Sequence, residues 1–251
     1  MTSNPPTETL KKNEYKRVER VFSKTGSHVV KTFLGHSPEN CERNARHTFA
    51  ALTLLKEHFS DVLSSPDVYA LDGCSVTMGF LDELPRARQL DFTTLPAASA
   101  FFKRCYEVET NTALIWSIED SIHATPKILQ LMHSNFPIGL GFKGDLFENL
   151  RISRDRLMLA DSETASVEPL GLSELILYVY LSAGGMSLRG FNLRKPACVP
   201  PVAFSVLDGK QSRAVLDAAL EFCQHNMRSV PGLVRAIKLR RADSMLSAML
   251  R

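Results

Sequence analysis

Nine side chains have the chemistry to hold a polyanion. Lys12, Arg17 and Arg20 stand near the start of the chain, Arg240 and Arg241 near its end, and Arg189, Phe191, Arg194 and Lys195 in the stretch 186–195. Guanidinium and ammonium groups neutralise phosphates, and an aromatic ring among them can stack on an unpaired base, the usual combination in single-strand recognition. Charge is segregated in the same sense. Residues 1–24 hold six Lys and Arg against three Glu, and residues 228–251 hold six against one Asp, in a chain whose net charge is only +3. Both ends are therefore locally positive and the middle is acidic, and local potential is what binding a polyanion requires. The expectation is a nucleic-acid-binding protein, RNA before DNA, contacting phosphates within a ribonucleoprotein assembly that includes other protein subunits. Two alternatives stay open: a nuclease or other hydrolase using a histidine or cysteine, and a scaffold whose basic ends dock on an acidic partner.

Other groupings point to chemistry less strongly. Gly139, Gly141 and Gly144 fit the G-x-G-x-x-G pattern. That fingerprint needs a strand before it, a helix after it and an acidic residue about twenty positions on. Glu163 stands near that distance, but residues 126–136 read as a helix stopped by Pro137. The glycines are expected to serve backbone geometry, and no cofactor is expected. Glu119 with His123, and Glu221 with His225, place a carboxylate and an imidazole one helical turn apart. Carboxylate-bridged metal bundles use Glu-x-x-His with further glutamates on facing helices, so these pairs read as surface contacts and no metal is expected. The five cysteines are odd in number and none has CxxC spacing, which suits reduced thiols. Cys74, beside a predicted turn, is the thiol an enzyme would use as a nucleophile.

The elements that position these residues read as an α+β, helix-rich fold with a minority of short strands, including one hairpin near 68–80. A basic helix is expected over 7–22 and a strand over 28–34. Ser37 and Pro38 open a long helix with Cys41, Ala45, Phe49, Leu52, Leu55 and Phe59 on one face. Asp72-Gly73 suits the tight turn of the hairpin. A strand is expected over 112–118, a helix opening at Thr125-Pro126, short helices near 145–160, an apolar helix from Ser173, and a loop over 186–202. Asp208 with Gln211 is a capping box, and Ser229 with Pro231 opens the last helix. The glycines near 139–144 mark the division of the chain into an N-terminal lobe, 1–136, with a basic first helix, and a C-terminal lobe, 137–251, with a basic last helix; a single domain is the alternative. The polar start has no apolar signal core, and the longest apolar run, 175–183, is too short to span a bilayer. The expected setting is cytoplasmic or otherwise intracellular, with no membrane partner.

Overall fold

The structure, a computed structural model, describes residues 5–24, 26–35, 37–81, 88–89, 95–108, 116–142, 150–153, 156–159, 162–183, 199–227 and 230–250. Its first third is a five-stranded antiparallel sheet. The strands are β1 (Thr7–Lys12), β2 (Lys16–Ser23), β3 (Gly26–Phe33), β5 (Val68–Asp72) and β6 (Ser75–Gly79), and they lie in the order β1-β2-β3-β6-β5. The chain leaves the sheet after β3 for the long helix α1 (Pro38–Phe59) and the short strand β4 (Leu63–Ser64), then returns for the β5–β6 hairpin.

The expected basic helix over 7–22 is replaced by β1 and β2. Lys, Arg and Glu favour a helix locally, but the side chain of Asn13 reverses the chain. Its Oδ1 accepts the N–H of Tyr15 at 3.0 Å and of Lys16 at 2.8 Å, the way a short polar side chain builds a turn. Val18, Val21 and Phe22 then pair across to Lys31, His28 and Ser27 of β3. The strand expected over 28–34 is β3, and the hairpin turns at Gly73, whose φ of +50° suits glycine.

The rest of the chain adds β7 (Arg88–Gln89), α2 (Leu95–Glu107), a 3₁₀ turn (Ile118–Asp120), α3 (Pro126–Met132), β8 (Ile138–Gly141), β9 (Leu150–Ser153), β10 (Arg156–Leu159) and β11 (Ser166–Pro169). It finishes with the helices α4 (Leu172–Ser182), α5 (Ala203–Val206), α6 (Gly209–Asn226) and α7 (Gly232–Met249). Where short helices were expected near 145–160 the chain forms β9 and β10, which join β4 and β7 in a four-stranded sheet; β8 and β11 make a separate antiparallel pair. The helix-rich reading with few strands is therefore corrected: the described residues form an α+β fold with three sheets, the largest a complete five-stranded one. Local helix propensity lost to strand pairing: β2 pairs with β1 on one side and with β3 along its whole length on the other, and β10 buries Leu157 and Leu159.

Two apolar clusters meet at α1. Cys41, Ala45 and Leu52 face the sheet and pack with Val29, Phe33, Val76 and Met78. Ala51, Leu54, Leu55 and Phe59 join a larger cluster with α2, α4, α6 and α7. The helix is thus the rigid link between the sheet and the helical body. The Asp208–Gln211 capping box forms in both directions, at 2.8 and 3.1 Å, and starts α6. Among the described residues no helix is long and apolar enough to cross a membrane.

Candidate functional site

β3 buries Val29, Lys31 and Phe33 on the face turned toward α1. A lysine at the centre of an apolar strand face needs a counter-charge, because an unpaired buried ammonium is costly. Register gives it company. Lys16 lies opposite Phe33 and Val18 opposite Lys31, so both lysines project from the same face of the sheet. Lys16 is 8 % exposed and Lys31 5 %. Both ammonium groups meet the carboxylate of Glu163, which stands between β10 and β11: Lys31 Nζ lies 2.7 Å from Oε2, and Lys16 Nζ donates to Oε1.

This ion cluster stands between two hollows. One is a cavity of about 300 Å³ whose walls include Val18, Val29, Leu52, Met78 and Phe80, with Lys11, Lys16, Lys31, Thr48 and Ser162 as its polar side chains. The other, about 510 Å³ and more polar, has Asn13, Tyr15, Asn44, His47 and Trp116 in its lining, with Lys11, Lys16, Asp120 and Glu163 as its charged groups. Lys16 borders both. The Oγ1 of Thr48 is buried with no hydrogen-bond partner among the described residues. On the outer side Arg43 lies 4.0 Å over the Trp116 ring, which meets His47 edge-on at 5.9 Å. The three glutamates of α1, Glu39, Glu42 and Glu57, are exposed, and Glu42 pairs with Arg46 at 3.6 Å.

A second buried acid lies deeper. Glu174, near the start of α4, accepts from the Tyr106 hydroxyl and from the N–H groups of Val202 at 2.8 Å and Ala203 at 2.9 Å. Burial pushes its carboxyl up to about 7 against the three donors. It ties α2, α4 and α5 together and stands apart from the lysine pair. Glu168, on β11, accepts the Ser173 N–H at 2.7 Å and lies directly over Gly141. A Cβ on Gly141 would stand 1.7 Å from the Glu168 carboxyl carbon, and one on Gly139 would stand 2.6 Å from a methyl of Leu170. Gly139 and Gly141 are thus β8 positions over which cross-strand side chains pass; Gly144 falls outside the described residues.

The residues expected to hold phosphates are spread over separate elements. Lys12 ends β1, Arg17 pairs with Glu19 at 3.0 Å, and Arg20 lies 3.7 Å over the Phe80 ring while donating to Ser27 Oγ. Arg240 and Arg241 are exposed on α7, which packs on α4 and α6. Arg189, Phe191, Arg194 and Lys195 lie outside the described residues. Of the groups considered for an enzyme, Glu119 pairs with His133 at 2.7 Å and not with His123, whose Nδ1 meets Asn226 Oδ1 at 2.7 Å. Glu221 accepts the Lys127 N–H at 2.9 Å at the start of α3. Cys74 is partly exposed and its thiol is raised by burial.

Sequence reasoning missed Lys31 and counted Lys16 only as one of a basic end. The available signal was the alternation Val29-x-Lys31-x-Phe33, a cation in phase with buried neighbours on a strand.

No protein-family model matches the chain, and no curated protein resembles it in sequence. Solved structures do resemble it in fold. A candidate aminoglycoside phosphotransferase from Ralstonia eutropha JMP134 matches with a TM-score of 0.56 and 12 % identity, over 98 % of this chain and 91 % of that one. The streptomycin–ATP ternary complex of the aminoglycoside phosphotransferase APH(2")-IIa matches at 0.53 and 10 %, over 96 % and 93 %. A thermostable mutant of the aminoglycoside phosphotransferase APH(4)-Ia matches at 0.51 and 13 %, over 97 % and 94 %. These likenesses overturn the nucleic-acid reading: the RNA or polyanion partner and the ribonucleoprotein setting give way, and the chain has the kinase-like fold of those phosphotransferases.

Proposed function

We propose that the protein is a kinase-like phosphotransferase that takes a phosphoryl group from ATP. The observation that carries this reading is the buried ammonium of Lys31, set by Glu163 at the polar end of a cavity between the sheet and α1. Val18, Val29, Leu52 and Met78 offer an apolar slot for a flat base, with Phe80 at its side. Small-molecule sites combine mainly apolar walls with a few placed polar groups. Lys31 stands on the third strand of the sheet, where kinases carry the lysine that contacts the nucleotide phosphates.

Phosphoryl transfer is chiefly a matter of position and charge. Lys31 holds the phosphate chain and offsets its charge, and the apolar walls pack against the base. By sequence order the remaining parts are Asp145 and Asn149, between β8 and β9, and Asp161, next to Ser162; all three lie outside the described residues. Asp145 is the base for an acceptor hydroxyl. Among the described residues no three acidic, histidine or cysteine side chains converge on the cleft. A divalent cation, which kinases hold with an Asp and an Asn, would by sequence order fall to Asp161 and Asn149, side chains with oxygen donors suited to a hard ion. Two features depart from the kinase pattern. Three residues, not four, separate Asp145 from Asn149, and the partner of Lys31 comes from Glu163 and not from α1.

Thermal unfolding with and without ATP and a divalent salt tests the reading. Ligand at about 100 times its Kd stabilises by roughly 2.7 kcal/mol, or about 5–10 °C for a chain of this size. Lys31→Met should abolish most of that rise. No shift with millimolar ATP, together with no transfer of labelled γ-phosphate to a panel of hydroxylated small molecules, overturns it.

A further inference from the structure

We infer that Lys16 is a second phosphate-binding lysine, supplied by β2 and oriented by the same carboxylate that orients Lys31; this rests on the phosphotransferase reading. The turn between β1 and β2 is Asn13-Glu14-Tyr15 and contains no glycine. In kinases a glycine-rich loop at this place covers the phosphates. Here the N–H groups of Tyr15 and Lys16 point inward to the Asn13 side chain, so the turn spends two of its donors on itself. Charge at this end of the cleft must then come from a side chain.

Lys16 is placed to supply it. It opens β2 immediately after the turn, is buried, and projects from the same sheet face as Lys31. Lys11 and Lys16 border both the apolar cavity and the polar one, and of the two Lys16 is the buried one, held by Glu163, whereas Lys11 is exposed. A ligand with a flat base in the first and an anionic chain reaching the second must pass the Lys16 ammonium. Glu163 holds both ammonium groups by opposite oxygens, which fixes their separation before any ligand arrives. Glu163 is a positioning residue in this scheme, acting on phosphate through the two lysines.

The test compares ATP with adenosine, because only ATP has the group Lys16 is assigned to hold. Calorimetric titration of Lys16→Met should show ATP weakened about tenfold or more, the usual scale for a lost charged contact, with adenosine changed less than about twofold by the same reasoning. Lys16→Arg should recover most of the ATP affinity. Equal losses for both ligands, or no loss of ATP, make Lys16 a structural ion-pair partner and overturn the inference while the phosphotransferase reading survives. A wild-type protein that binds neither ligand removes both. A measurement on the wild-type chain guards against a variant that does not fold: an acyl-phosphate derivative of ATP transfers its acyl group to lysine amines along the phosphate chain, releasing ATP. Labelling of both Lys16 and Lys31, suppressed by excess ATP, supports the assignment. Labelling of Lys31 alone overturns it.

Discussion

Replacing Gly141 by alanine should be among the most damaging single-methyl changes in the chain. The added Cβ would stand 1.7 Å from the Glu168 carboxyl carbon and 1.9 Å from Oε1, whereas carbon atoms in contact settle near 3.5–4.0 Å. Glu168 is 1 % exposed and its Oε1 takes the Ser173 N–H at 2.7 Å in the first turn of α4. To admit the methyl it must swing away from that donor. Overpacking costs about 1–3 kcal/mol, and loss of a buried hydrogen bond to a charged group about 1.5–3 kcal/mol. The sum, about 2.5–6 kcal/mol, lowers Tm by roughly 5–20 °C in a chain of this length. Gly139→Ala is the internal control. Its Cβ would meet only the tip of Leu170 at 2.6 Å, and a leucine methyl can rotate aside, so the cost should stay near 1 kcal/mol. Urea unfolding with unchanged slope measures both. The double variant Gly141→Ala with Glu168→Ala should be no less stable than Glu168→Ala alone, since the clash has lost one of its members. A Gly141→Ala protein within about 1 kcal/mol of wild type, or a double variant that is simply additive, refutes the reasoning.

Two further outcomes follow from buried groups. Glu174 has its carboxyl raised by burial from its ordinary 4.5 to about 7, so it binds its proton more tightly folded than unfolded; the stability it adds is complete below about 4.5 and is lost as pH rises through about 7. The loss is on the order of 3 kcal/mol, and Glu174→Gln should flatten the denaturation midpoint over that window; an unchanged profile counts against the assignment. Cys74 is partly exposed while Cys41, Cys105 and Cys223 are buried, with the last two thiols pushed up by burial. A thiol reagent should modify Cys74 in the native protein ahead of those three, which should react only on unfolding; equal native rates would contradict the packing.

Parts of the fold were legible because their signals are local. The Asp208–Gln211 box closes over three residues, Pro38 opens α1 without needing a distant partner, and Asp72-Gly73 turns a hairpin whose strands are adjacent in sequence. Ser37 stands at the expected cap position, yet its side chain makes no capping hydrogen bond. The segment 7–22 was misread for the opposite reason. Its Lys, Arg and Glu content favours a helix, and its strand character depends on β3, to which β2 pairs along its whole length. The Asn13 turn was the available clue, a short polar side chain between two runs of similar length.

The candidate site was illegible for a deeper reason than a weak motif. Its three charged members stand at positions 16, 31 and 163, and the Lys16–Glu163 contact joins residues 147 apart. In one dimension Lys16 is one of six cations in the first 24 residues, and Glu163 is one acid in a polar stretch. Only the sheet register puts Lys16 and Lys31 on one face, and only the return of the chain after β10 brings the acid beneath them. The clustering of cations at the ends therefore pointed the wrong way. Surface cations such as Arg240 and Arg241 are common because exposure costs them nothing, whereas a buried lysine is tolerated only where a partner, and in an enzyme a ligand, answers its charge. The residue that mattered was the cation whose neighbours two positions away on either side were Val29 and Phe33. Apolar periodicity around a charge, more than the density of charge, separates a site from a solvated face.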